Sequence, residues 1–133
     1  MFGVFDISTS ALVATRTRLD AISANMANVD VPVDPNSKET PFSERVVYLA
    51  QGDPTSGAAD GVHVAAILPR NDFRKVKDPK NPMADKDGFV SYANIDPVIQ
   101  QSNAMLASRT YDANLAAIEA SKSMIDAALR IIA

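Results

Sequence analysis

The chain contains no cysteine and no tryptophan. The first absence excludes disulfides, thiol nucleophiles and cysteine-based metal sites together. The second, with aromatic residues at only 6%, leaves little from which to build a stacking platform for bases or sugars. A single histidine, His63, rules out a metal site built on a histidine pair. It falls in an alternating apolar run with no serine or carboxylate arranged around it, and reads as a strand residue. Charge of one sign is also scarce. A net charge of -3 provides no surface for neutralising phosphates, so no nucleic-acid partner is expected. No apolar run reaches the length of a membrane span, so no direct membrane insertion is expected. The opening segment MFGVFDIS lacks the basic start of a secretory signal and is interrupted by Asp6. No Gly-rich phosphate cradle, nucleophile elbow or acid/base pair stands out, and neither a cofactor nor a catalytic activity is expected.

Proline is present but confined. All eight prolines fall between Pro32 and Pro97, and the segments outside that window are apolar at helical spacing. Toward the N-terminus, Phe5, Leu12, Leu19, Ile22, Met26 and Val29 are spaced by three, four or seven residues. Toward the C-terminus, Tyr111, Leu115, Ile118, Ile125, Leu129 and Ile132 repeat that spacing. The pattern predicts a mainly α chain: two long terminal helices in an antiparallel, coiled-coil-like pair, with a small β or irregular insert. The expected segments are an N-terminal helix over 1–30, a Pro/Gly-rich middle over 31–97 with short strands, and a C-terminal helix over 98–133.

The first helix is expected to start near Ser8 to Ser10, whose hydroxyls suit a cap, and to run to about Asn28 before Pro32 and Pro35 forbid continuation. In the middle, Val46 to Ala50 reads as one strand. Val62 to Leu68, Phe73 to Lys77 and Phe89 to Ala93 read as a small three-stranded unit. Asp85-Lys-Asp-Gly88 shares the start of a calcium loop but lacks the later ligands, so a tight turn is the expectation. Arg70, Arg74, Lys75, Lys77 and Lys80 form a basic run broken by Asp72 and Asp78, which reads as a solvated loop. The second helix has the clearest start: Asp96 is a good cap and Pro97 suits the first helical position.

Without proline or glycine from Val98 to Ile132, the second helix is expected to span roughly 50 Å. It carries two apolar seams, the one given above and another through Leu106, Ala113, Ala117, Ala120, Met124 and Ile131. A first helix of about 20 residues cannot cover both. Fully burying Leu115, Ile118, Ile125, Leu129 and Ile132 would stabilise by on the order of 8–15 kcal/mol as an upper bound. Packing against other chains is the inference; the alternative is that the β insert folds over the second seam. Asn25 and Asn28 lie i,i+3 beside the N-terminal stripe, although asparagine is a poor helix former. They read either as a helix C-terminus or as polar groups that fix register between packed helices.

Leu19-Asp-Ala-Ile-Ser-Ala-Asn-Met-Ala-Asn28 resembles the N-terminal signature of bacterial flagellar basal-body rod proteins, whose core is Asn-x-Ala-Asn. Tyr111-Asp-Ala-Asn-Leu115 with Lys122-Ser-Met124 resembles the matching C-terminal motif of flagellar axial proteins. Asp78-Pro-Lys-Asn-Pro-Met-Ala-Asp-Lys-Asp-Gly-Phe-Val90, followed by Asn94-Ile-Asp96, resembles the short proximal rod branch. Val29-Asp-Val-Pro-Val-Asp34 departs from the threonine- and arginine-containing sequence usual after the first motif. The resemblance implies a structural subunit that polymerises through its terminal helices with copies of itself and other rod proteins to form the proximal drive shaft. It also implies contacts with inner-membrane ring or export-gate components and surrounding ring proteins. The implied location is the basal body, spanning the periplasm, reached by type III export without signal cleavage. The assembly interface expected on this reading comprises Leu12, Leu19, Ile22, Asn25, Met26 and Asn28 of the first helix. From the second it takes Tyr111, Asn114, Leu115, Ile118, Lys122, Met124, Ile125, Leu129 and Ile132. A soluble helical adaptor or chaperone of an export apparatus is the alternative that uses the same seams.

Overall fold

A computed structural model describes residues 2–132. In chain order the elements are helix α1 (Phe2–Ala27), strands β1 (Glu44–Gln51), β2 (Val62–Arg70), β3 (Phe73–Lys77) and β4 (Phe89–Ala93), and helix α2 (Pro97–Ile132). The two long terminal helices and the β-containing middle match the expected order. Helix α1 begins earlier than the Ser8 to Ser10 hydroxyls suggest. Those residues sit inside it, and Ser10 is used differently: its Oγ donates to the Ile7 carbonyl at 2.7 Å and accepts the Val62 N–H at 3.1 Å. A side chain read as a cap is thus a tie between α1 and the first residue of β2.

The end of α1 and the start of α2 follow from local chemistry. Beyond Ala27 the backbone tightens, with the Asn28 N–H on the Asn25 carbonyl at 3.1 Å, and the Asn28 side-chain amide donates to the Ala24 carbonyl at 2.8 Å. At α2, Asp96 Oδ1 accepts the N–H groups of Val98 at 2.8 Å and Ile99 at 3.3 Å. Pro97 fills the first helical position, where a missing N–H costs nothing. Polar residues within α2 satisfy themselves on the preceding turn: Ser102, Thr110, Asn114, Ser121 and Ser123 each donate to the carbonyl four residues earlier. Along α2 no salt bridge closes among the described residues. Among the described residues the salt bridges are Arg70–Glu44 at 3.0 Å and Arg74–Asp30 at 3.3 Å.

The strands pair differently from expectation. Rather than β2, β3 and β4 forming one unit, the middle segment holds two antiparallel pairs, β1–β2 and β3–β4. The loop between β1 and β2 closes with the Gly52 N–H on the Gly61 carbonyl at 2.9 Å. Gly52 has φ 87 there, a conformation that favours glycine. A register shift between Tyr48 and Leu49 leaves Ala65 without a partner, a β-bulge that twists the hairpin. His63 lies in β2 with its Nδ1 2.7 Å from the Gly52 carbonyl. Asp85 organises the β3–β4 turn, its Oδ1 accepting from Asp87 and Phe89 N–H; the Asp-x-Asp-Gly run is a turn.

The apolar core is small and lies where α1 ends and β4 begins to lead into α2. Val29, Ala93 and Ile95 form it, with Phe42 packed against them, and Val90 is fully buried nearby. The chain after α1 crosses this region, with Val33 N–H donating to the Ser91 carbonyl at 2.8 Å. Arg74 lies 5.0 Å over the Tyr92 ring and donates to the Val29 carbonyl, so β3 is tied to the end of α1 as well.

Candidate assembly surface

Helices α1 and α2 pack on each other, and Asn25 of α1 meets Gln100 of α2. The positions of α2 withdrawn from solvent are Gln100, Asn103, Ala104, Ala107, Tyr111, Asn114, Ile118, Ser121, Ile125 and Ala128. Apart from Asn103, their spacing alternates four and three. On α1, Phe5, Ser8, Leu12, Thr15, Leu19 and Ile22 are withdrawn at the same spacing. The covered seam is therefore rich in small and polar side chains. Ala107, Ser121, Ser8 and Thr15 are among its most buried members. Small residues let two helix backbones approach closely, which explains why they occupy it.

Apart from Ile118 and Ile125, which are half-buried in this seam, the bulky aliphatics of α2 lie elsewhere. Val98, Ile99, Met105, Leu106, Leu115, Met124, Leu129, Ile131 and Ile132 are all exposed, Ile131 at 86%. A helix whose only partner is a neighbour in its own chain places large apolar residues inward. Here the distribution is reversed over most of its length. These exposed apolar residues are spread around the helix rather than along one face, and exposed apolar area on this scale marks interaction surfaces.

The residues singled out from the sequence divide between these surfaces. Ile22 is buried, and Leu12, Leu19, Tyr111, Asn114, Ile118 and Ile125 are half-buried in the covered seam. Leu115, Lys122, Met124, Leu129 and Ile132 are exposed on α2, and Met26 is exposed on α1. Leu106, Met124 and Ile131 of the second seam are exposed, and the β insert does not fold over them.

The two asparagines behave differently. Asn25 is 1% exposed and is fully engaged within the chain. Its Oδ1 accepts the Arg45 N–H at 2.8 Å, and its Nδ2 donates to the Arg45 carbonyl at 3.0 Å and to Gln100 Oε1 at 3.2 Å. Gln100 Nε2 donates onward to Glu44 Oε1 at 2.8 Å, and Glu44 pairs with Arg70. One connected network thus joins α1, β1, α2 and the end of β2. Asn28, by contrast, serves the end of its own helix. Gln100, Ala107 and Ser121 escaped the sequence reading because apolar spacing alone was followed. The signal that finds them is the same four-three spacing traced through small and polar residues.

Comparison with known proteins bears on what this surface is for. Residues 5–32 match the family model described as flagella basal body rod protein, and residues 86–131 match the C-terminal model of flagellar basal body rod FlgEFG proteins. The flagellar basal-body rod protein FlgC of Salmonella typhimurium is 36% identical over 127 residues, covering 94% of this chain and 92% of the relative. That of Bacillus subtilis is 32% identical over 145 residues, covering 98% and 97%. That of Buchnera aphidicola from Acyrthosiphon pisum is 30% identical over 132 residues, also covering 98% and 97%.

Proposed function

The chain belongs to the flagellar basal-body rod protein family, FlgC, and is a structural subunit of the rod; from that premise we propose that it polymerises through the exposed apolar residues of α2. The family is a structural one, and its members assemble with other rod and basal-body components. On this reading α1 and α2 form an antiparallel, coiled-coil-like pair, held together within the chain by the small-residue seam. Residues 1–30 and 98–133 form the wall of the shaft, and the middle segment 31–97 faces outward. Leu115, Met124, Leu129 and Ile132 contact neighbouring copies and other rod subunits. The same reading extends to contacts with inner-membrane ring, export-gate and surrounding ring proteins, to a position spanning the periplasm, and to export without a cleaved signal.

The observation that carries the proposal is the number of large aliphatics left exposed on α2, Leu106, Leu115, Met124, Leu129, Ile131 and Ile132 among them, while Ala107 and Ser121 are buried. Charge placed on an exposed apolar position should leave the chain folded and stop it joining the rod. Cells whose only copy carries Leu115→Asp should be non-motile, with the variant absent from purified basal bodies. Its helical circular dichroism should match that of the parent chain. Normal swimming with the variant incorporated would refute the assignment of this face.

A further inference from the structure

The first half of α1 and the closed end of the β1–β2 hairpin enclose a cleft of about 600 Å³. Ile7, Val13 and Val64 give it an apolar wall, and Asp6, Asp53 and Asp60 line it as well. No lysine or arginine lines it among the described residues. Ile7 and Val13 are large aliphatics left open to solvent. Hydrogen bonds from the Ser56 hydroxyl and the Thr55 N–H hold the Asp53 carboxyl below the usual carboxylate range, so it is charged at neutral pH. The cleft is thus an apolar slot with an anionic border.

A second apolar surface sits at the far end of α2. From the Asn25–Gln100 contact, α1 runs back to Phe2 while α2 runs forward to Ile132. In its last turn Leu129, Ile131 and Ile132 are exposed at 59%, 86% and 83%. Arg130 is the basic residue of the last turn. A continuous helix cannot fold back into the cleft of its own chain, so this end is available only to another molecule.

We propose that the exposed last turn of α2 in one copy seats in the α1–hairpin cleft of a second copy, with Leu129 and Ile132 against Ile7, Val13 and Val64, and Arg130 facing the aspartates. The inference rests on the assembly reading above and names one contact within it. Because the two surfaces differ, the contact is heterologous. Each added copy leaves one cleft and one helix end unfilled, so it propagates rather than closing as a two-fold dimer.

The lack of cysteine makes the test direct. Val13→Cys and Ile132→Cys variants are co-expressed in cells lacking the native copy, and basal bodies are purified and mildly oxidised. A disulfide-linked dimer of this chain is expected from the mixed population and from neither variant alone. Adding Arg130→Asp to the Ile132→Cys chain should abolish the dimer, and adding Asp60→Arg to the Val13→Cys chain should restore it. If both variants enter basal bodies of motile cells and no dimer forms, or the cross-link goes to a different protein, the contact is overturned and the rod reading stands. If the unmodified chain is itself absent from basal bodies, both readings fall.

Discussion

Asn25 holds Arg45 at both ends of one residue's backbone. Its Oδ1 accepts the Arg45 N–H at 2.8 Å and its Nδ2 donates to the Arg45 carbonyl at 3.0 Å. A side-chain amide here takes the place of a neighbouring strand's peptide group, so a helix residue pairs with β1 as a strand would. The third bond, to Gln100, brings the start of α2 to the same point.

Removing this amide leaves buried partners unsatisfied. Asn25→Ala is expected to destabilise by about 2–4 kcal/mol, because the Arg45 backbone and Gln100 lose their partners without gaining water. Asn25→Asp should also destabilise, since a carboxylate cannot donate to the Arg45 carbonyl and places a charge at a buried site. Urea melts of the purified variants followed by circular dichroism measure both. A change below ~0.5 kcal/mol for Asn25→Ala would contradict the clamp.

Two substitutions on α2 separate the covered seam from the exposed apolar residues. Ile118→Asp puts a charge into the half-buried seam and is expected to cost about 2–4 kcal/mol, loosening α2 from α1. Leu129→Asp lies outside that seam and should change stability by no more than ~0.5 kcal/mol while blocking incorporation into the rod. Thermal melts paired with basal-body purification distinguish the two. Equal destabilisation by both would mean that the outer residues are covered within the chain.

Much of this architecture is legible in the sequence, and the failures share a physical cause. Asp96-Pro97 fixes the start of α2 because a cap and a ring-locked first residue act locally. Strands β3 and β4 have the expected limits for the same reason: their ends are set by local turn chemistry around Asp78 and Gly88. The pairing of β1 with β2 is accompanied by contacts to α1 through Ser10 and Asn25, which join residues 20 to 52 positions apart and leave no local pattern. The first apolar seam of α2 divides: Tyr111, Ile118 and Ile125 lie in the covered seam, whereas Leu115 and Leu129 are exposed one position away from Asn114 and Ala128. Bulk is therefore not the mark of burial in this helix, where Ala107 and Ser121 are among the most buried residues. The assembly motifs around Asn25 and Tyr111 are visible in the sequence, whereas the clamp on Arg45 is a tertiary fact.

The start of α2 offers a calibrated test. Asp96→Ala removes an acceptor used by two N–H groups and should destabilise by about 1 kcal/mol. Asp96→Ser should retain most of that contribution, since serine also caps. Thermal unfolding of the three chains provides the comparison, and parity between Ala and the parent would remove the cap from the account.

The hairpin loop is sterically closed at Gly52. A Cβ added there would lie 2.7 Å from the Ala58 carbonyl oxygen, and φ 87 disfavours any side chain. Gly52→Ala should therefore destabilise by about 1–3 kcal/mol, whereas Gly57→Ala, where a Cβ meets nothing within 4 Å, bears only the cost of its positive φ. Amide exchange in β1 and β2 should rise for the first variant well above the second.

The same loop has a pH signature. Hydrogen bonds from Ser56 and Thr55 hold Asp53 below its ordinary value. A carboxyl lowered on folding adds stability that is fully present above its unfolded value and is lost as pH falls through its folded value. Amide resonances of Thr55 and Ser56 should therefore titrate with a midpoint below the ordinary aspartate value. Asp53→Asn should abolish that titration; an unchanged profile in the variant would locate it elsewhere.

Between Val98 and Ile132, α2 contains neither glycine nor proline, and sharp helix kinks arise mainly at such residues. Considered as a mechanical part, it is a beam with no built-in joint.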